Sequence, residues 1–468
     1  MAGSVLLGAC ADSALDSQPG SETDAGGGGP EEFRQPEVLR SANGRLDVTL
    51  IAAPATFQGA IGGALAYNDA PVGPTLRVRP GDRLNVTVRN DLGEPTNLHT
   101  HGLNVSPEGQ GDDVFATIGA GEERSYVYDL PTDHLSGTFW YHPHLHGSVA
   151  AQVAAGLFGA IIVEDEIDDR ADMAAMTERL FVLNDPVGVD RQASPMDGMH
   201  GRTGESVRVN GVVQPLLTGI AGDLERWRVV NASPSRSLAL SIPGAALHLI
   251  ASDGGRLSST RALDGLVLVP GERAEVIVKI PSTSEEMAVG SDGAGRPLAL
   301  LLPRNSGVAG SSPPPSSSEG SSTAVPDGLG EEVSVDAELV VRKRTVTFGV
   351  EMGMGSMMSD DGGLEFTIDG KAFDPQRTDT RVESGTVEEW RIMNTTGMDH
   401  PFHLHAWPFE VLGDDAWPGW KDTVNVPGGG EVTIRIPFVG QTGRSVYHCH
   451  ILDHEDLGMM GVIDVQPA

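Results

Sequence analysis

Cysteine is nearly absent from this chain. It has two in 468 residues, Cys10 in the N-terminal tail and Cys449 near the end, so no disulfide framework holds the fold. Basic residues are scarce as well. Lys and Arg number 32 against 65 Asp and Glu, a formal net charge of −33. That excludes nucleic acid as a partner, because phosphates require Lys and Arg to neutralise them. The bland reading, a solvated acidic surface, carries more weight than one that attracts cations. No stretch reaches the roughly 18 consecutive apolar residues of a membrane-spanning helix. Aromatic residues make up 5% of the chain, and helical periodicity is scarce. The 60 glycines suit β-structure with many turns, and the length suits about three domains.

Against that background the C-terminal run Tyr447-His448-Cys449-His450-Ile451-Leu452-Asp453-His454, followed by Met459, stands out. A thiolate, a His five residues on and a Met ten residues on supply three ligands of a blue-copper site. In a strand, side chains alternate faces, so Cys449 serves one metal while His448 and His450 reach toward another. The bonds between them form a short path for electrons.

The chain has 14 histidines. Ten of them lie in this run and in three other motifs: His99-Thr-His101, His142-Pro-His144 and His400-Pro-Phe-His403-Leu-His405. In a strand, positions i and i+2 share a face, so each His-x-His pair grips a metal cluster from one side. Two pairs come from the N-terminal part and two from the C-terminal part, which points to a cluster clamped between domains. His400 completes the site of Cys449, His454 and Met459. Eight imidazoles remain, which suits a three-copper cluster with positions open to dioxygen. Any single pair is more economically an ordinary surface or core feature; four motifs with the one Cys of the folded region are not. Zinc fits poorly, because its sites favour Cys-rich or single-cluster spacings.

These four motifs, in this order, resemble those of the multicopper oxidases, the family of laccases and bacterial cuprous oxidases. The resemblance runs from about Glu37 to the end. It implies an all-β fold of three cupredoxin-like Greek-key sandwiches and four copper ions. It places type 1 copper on His400, Cys449, His454 and Met459, type 2 on His99 and His403, and the type 3 pair on His101, His142, His144, His405, His448 and His450. It also implies that His454 is the exposed edge through which electrons enter, and that dioxygen is reduced to water.

An internal repeat supports three domains. Gly81 to Asn90, Gly222 to Asn231 and Gly385 to Asn394 each begin with Gly, alternate apolar and polar residues, and end with Asn nine positions on. Each is preceded by a related turn: Tyr67-Asn68-Asp69, Val209-Asn210-Gly211 and Ile368-Asp369-Gly370. Short β-branched runs at 45–51, 159–163, 274–280 and 431–436 read as strands. The expected organisation is a tether or export remnant over 1–36, sandwiches over 37–168, 169–304 and 333–468, and a flexible Ser/Pro/Gly connection over 305–332. The middle domain carries no copper motif, and its expected role is to hold the outer two in register. Leu7-Gly8-Ala9-Cys10 resembles a lipoprotein cleavage box, although the apolar stretch is short and no positive segment precedes it. The two readings are an export signal, giving a periplasmic or cell-surface monomer tethered through lipidated Cys10, and a disordered tail.

Protons need carboxylates near the cluster. Glu455, directly after His454, is the first candidate; Asp112 and Asp113 follow the first His pair, and the sequence does not choose between them. His146 would share a strand face with His144 and reads as a support rather than a ligand. For the electron donor, the first reading is a phenol or aromatic amine, as in laccases. The second is Cu(I), as in cuprous oxidases, supported by Met352, Met354, Met357 and Met358, whose thioethers are soft ligands, and by Met398 and Asp399 beside His400. A third reading is a copper-binding structural protein without turnover, as in division-associated relatives that lose the ligands.

Overall fold

The computed structural model describes residues 30–57, 63–191, 194–305, 324–352, 364–413 and 419–468. Its strands form three sandwich-like units. The first pairs a five-stranded sheet with a four-stranded one, the second has sheets of seven, three and two strands, and the third has sheets of six and five. In the first unit the two sheets close on one core that includes Leu50, Val86 and Tyr126 from one and Leu76, Phe139 and Ile161 from the other. Alternation dictates this: Arg45–Ala55 and Arg83–Asn90 bury every second side chain.

The sequence repeat is a structural repeat. Arg45–Ala55 pairs in parallel with Arg83–Asn90, Thr177–Asn184 with Leu224–Asn231, and Val340–Met352 with Thr386–Asn394. Each second strand then pairs antiparallel with a later one: Glu123–Asp129, Arg273–Lys279 and Glu431–Phe438. The repeated Asn ends each strand in the same way. The side-chain amides of Asn90, Asn231 and Asn394 donate to the carbonyls of Ile118, Leu268 and Val426. Their amide oxygens accept from the backbone N–H two residues on. The preceding turns place Asn68, Asn210 and Asp369 at φ of 54°, 51° and 53°, where Asn and Asp are tolerated best.

Two expectations need correction. Residues 31–36 are not a free tether: the Phe33 ring packs at a tilt against Phe181, 5.0 Å between centroids, and Glu32 bridges to Leu216 in the second unit. The end of the expected flexible connection is also packed. Leu329 is buried, and Asp327 accepts from the backbone of Thr260. Cys10, Met354, Met357 and Met358 lie outside the described residues; Met352 ends a strand, and its side chain is likewise outside.

The units are fastened by buried charge. Arg228 of the second pairs with Asp168, Glu178 and Glu275, while Arg77 of the first pairs with Glu164 and Glu178. The first and third units meet end to end at two short helices. The carboxylate of Asp456, from Leu452–Asp456, accepts from the backbone of Gly147, Val149 and Ala150 at the start of Val149–Ala155.

Candidate metal centre

Sheet register assembles the site. His99 lies opposite His142 in the first unit, and His403 opposite His448 in the third. Cys449 lies opposite Phe402 and enters the hydrophobic core of the third unit, with Met459 in the same core. Cys449 Sγ is 3.4 Å from His400 Nδ1 and 3.8 Å from His454 Nδ1; the two imidazole nitrogens are 3.2 Å apart. Thr396 Oγ1 meets His400 Nε2 at 2.8 Å, and Phe366 stacks on His454 at 3.9 Å. Burial pushes the Cys449 thiol well up from its ordinary range. A thiolate here therefore needs a cation against it, which suits a metal.

On the other face of the same strand, His448, with His450 just past its end, joins the remaining imidazoles between the first and third units. All eight are buried. The Nε2 atoms of His144 and His405 stand 3.2 and 3.1 Å from that of His448. His99, His142, His403 and His450 have Nε2 atoms without a hydrogen-bond partner, as does Nδ1 of His101. Their other ring nitrogens are largely engaged: His99 with Asp112, His142 with Pro143 O, and His403 with Asp422 O. Unpartnered buried nitrogens are costly, and a shared cation satisfies them together. Burial, then neighbouring imidazoles, holds His99 and His144 well below ordinary histidine values, so they are neutral and free to ligate.

The acids separate. Asp112 is buried, its Oδ2 is 2.7 Å from His99 Nδ1, and its Oδ1 accepts from the backbone and hydroxyl of Thr100. Burial raises its carboxyl to about 7. Asp113 instead turns toward Arg124 at 3.6 Å, away from the cluster. Glu455 is fully buried, with Oε1 3.4 Å from His144 Nε2 and Oε2 3.1 Å from His448 Nδ1. Asp399 accepts from Asn425 and the backbone of Gly428, so its carboxylate fixes a turn; Met398 is part-buried against the third core. His146 is not on a strand: it lies in the turn before Val149–Ala155, is exposed, and meets Phe373 at 4.7 Å. His454, expected as an exposed edge, is fully buried, with its Nε2 3.3 Å from the carbonyl of Met199.

The sequence reading missed two residues. Asp422 places Oδ1 3.1 Å from His101 Nε2, and its carbonyl accepts from His403. Arg273 of the second unit grips that carboxylate with two 2.6 Å bonds and donates to the carbonyl of Thr138 in the first. One buried guanidinium thus touches all three units beside the cluster. Gly102 makes room for it; at φ 89°, a Cβ there would sit 2.6 Å from both Arg273 and Asp422.

Residues 52–168, 185–290 and 348–468 each match a multicopper oxidase family. The chain belongs to the multicopper oxidases. It is 31% identical to the multicopper oxidase mco of Staphylococcus haemolyticus, over 93% of each chain. It is 28% identical to the cell division protein FtsP of Proteus mirabilis, covering 96% of this chain and 95% of that one. The solved multicopper oxidase of Campylobacter jejuni, described as a metallo-oxidase, superposes with a TM-score of 0.77 at 28% identity, over 93% and 96% of the two chains. This multicopper oxidase is therefore a copper-dependent oxidoreductase of three cupredoxin-like units, and its His-rich groups suit that metal.

Proposed function

We propose that this oxidase removes electrons singly from a donor at the Cys449 site and reduces dioxygen to water at the imidazole cluster, using four copper ions. The unpartnered, buried ring nitrogens at the junction of the first and third units are the observation that carries this reading. Type 1 copper is assigned to His400, Cys449, His454 and Met459, type 2 to His99 and His403, and the type 3 pair to the other six imidazoles. Bound copper supplies reversible one-electron storage and the affinity for dioxygen. The chain supplies the rest. Strand alternation at 448–450 gives the shortest covalent route between the two sites. Asp112 fixes the ring of His99 and, with a carboxyl near 7, exchanges a proton at neutral pH. Glu455, against His144 and His448, delivers protons on the opposite side.

For the donor, Cu(I) is the first reading. The Met199 carbonyl covers the imidazole edge of His454, so any donor passes its electron across one peptide group. The Campylobacter neighbour is described as a metallo-oxidase, in line with this. A small aromatic reductant is the second reading, since outer-sphere transfer tolerates one intervening peptide group. Export to the periplasm or cell surface as a monomer belongs to the same proposal; among the described residues no helix is long and apolar enough to cross a membrane.

Oxygen uptake by the copper-loaded protein tests this, with Cu(I) and 2,6-dimethoxyphenol compared as donors. Uptake with either supports the oxidase. No uptake with both sinks it in favour of a non-catalytic role, the reading that similarity to a cell division protein supports.

A further inference from the structure

Three residues, Ile451, Leu452 and Asp453, separate His450 of the imidazole cluster from His454 of the Cys449 site. None of them is a ligand, and the second unit supplies no ligand either, yet that unit holds all three. Leu452 donates its N–H to the carbonyl of Pro234 at 2.9 Å. Its side chain enters a core otherwise built by the first and second units, among them Trp140, Val153, Val182 and Val230. Gly201 lies so close that a Cβ would sit 2.7 Å from the side chain of Ile451 and 2.3 Å from that of Ser235. The carboxylate of Asp453 accepts from the Arg202 backbone N–H at 2.7 Å and from its guanidinium at 2.8 and 3.0 Å. Arg202 is fixed in turn, since its carbonyl accepts from the Ser235 hydroxyl at 2.6 Å. Just before it, the short helix Pro195–His200, capped reciprocally by Ser194 and Asp197, sets the Met199 carbonyl 3.3 Å from His454 Nε2.

Asp453 is 4% exposed and the Arg202 side chain 12%, so water screens this pair poorly. A guanidinium fork on a carboxylate fixes orientation as well as distance. Desolvation consumes much of the attraction of such a pair, and apolar packing would fasten the seam as well, so its value here lies in direction and charge. Together the two charges nearly cancel at the adjoining His454. Alone, each acts on an ion bound there: a carboxylate favours the more positive, oxidised ion, and a guanidinium the less positive, reduced one.

We propose that Arg202 and Asp453 are positioning residues of the Cys449 site, through which the second unit places His454 and balances the reduction potential of that site. This rests on the assignment of type 1 copper to His400, Cys449, His454 and Met459. It gives the middle unit a part in electron entry without a single metal ligand, and it predicts opposite signs for the loss of either partner.

The test is a redox titration of the copper-loaded, full-length protein at neutral pH, followed by the visible absorption of the copper–thiolate, with copper content measured on the same samples. Arg202→Gln is expected to favour the oxidised ion about tenfold, lowering the potential by about 59 mV. Asp453→Asn is expected to raise it by a similar amount, and the double variant to return close to wild type. Arg202→Lys keeps the charge but not the fork, and is expected to hold the potential while weakening retention of type 1 copper. A merely structural seam loosens in both single variants and moves them the same way. Potentials that shift together, or that both stay within about twofold of wild type in equilibrium constant, overturn the proposal. So does an Arg202→Lys shift as large as that of Arg202→Gln. If a single variant cannot hold type 1 copper, the double variant decides: copper retained once both charges are gone supports the proposal, and copper lost there too overturns it. Wild type without copper–thiolate absorption removes the type 1 assignment itself; wild type that shows it, with variants that move together, removes this proposal alone.

Discussion

Replacing Arg273 by Leu is expected to loosen the junction of all three units. The guanidinium is fully buried and makes two 2.6 Å bonds to Asp422, one of 2.9 Å to Thr138 O, and an ion pair of 3.4 Å with Asp253. Asp253 keeps a second cation in Lys421 at 3.1 Å. Asp422 keeps the Thr423 hydroxyl and the rings of His101 and His403 but no second Lys or Arg, so its charge is the one stranded. Stranding one partner of a buried pair costs about 3–5 kcal/mol. Removing both charges, as Arg273→Leu/Asp422→Leu, is expected to cost much less than the sum of the single losses, leaving a coupling of about 2 kcal/mol or more. The assay is urea unfolding of the copper-free protein, because bound metal adds its own stabilisation. The change in midpoint is read on the transition that separates the units. Losses that add to within about 0.5 kcal/mol would refute the reasoning, since independent sites behave that way.

Three further outcomes follow from the same geometry. Glu455→Gln is expected to lower kcat for oxygen reduction by about a hundredfold with any donor, leaving the visible absorption of the copper–thiolate intact, since the carboxylate touches His144 and His448 but not Cys449. Asp112→Asn is expected to alter the electron paramagnetic resonance of type 2 copper through His99 and to shift the pH–rate profile; Asp113→Asn, which faces Arg124, is expected to do neither. Acid should separate the first and second units: burial opposes ionisation of Glu178, but Arg228, Arg77 and Arg226 outweigh it and hold its carboxyl well below the usual range. A depressed carboxylate stabilises the fold above its unfolded value, near 4, and that contribution fades as pH falls further. Thermal midpoints measured from pH 6 to pH 3 should therefore drop, and less steeply for Glu178→Gln.

Much of this was legible in the chain because both periods involved are short. Alternation of two explains why His99 and His101 share a face and why His448 faces away from Cys449, whereas His144, His405 and His450 lie just past the ends of their strands. The Gly-to-Asn repeat marks three equivalent strands, since each Asn ties off its strand by the same bonds. What was not legible depends on distance or irregular backbone. Asp112 and Asp113 lie in a loop with no period, and only its turns decide which enters the cluster. Asp422 carries no spacing signal; it reaches the site because Thr423 pairs with His403 across the sheet. Arg273 follows a turn, and nothing local shows that its side chain leaves its own unit. The capping box at Ser194 announces a helix, but not that the helix covers His454, about 250 residues further along the chain.

That separation also has a consequence for how the protein is made. Four cluster imidazoles belong to the first unit and four to the last, with the whole second unit synthesised between them. Domains fold as they emerge, the N-terminal one first. A nascent chain therefore exposes half a cluster, four imidazoles with Asp112 but without Glu455 and the thiol of Cys449, until its last fifty residues are in place. Metal captured earlier would meet the wrong ligand set, so full copper content marks a finished chain. A truncation after residue 440 would remove two inner strands of the third unit together with His448, Cys449 and His450, and leave no oxidase.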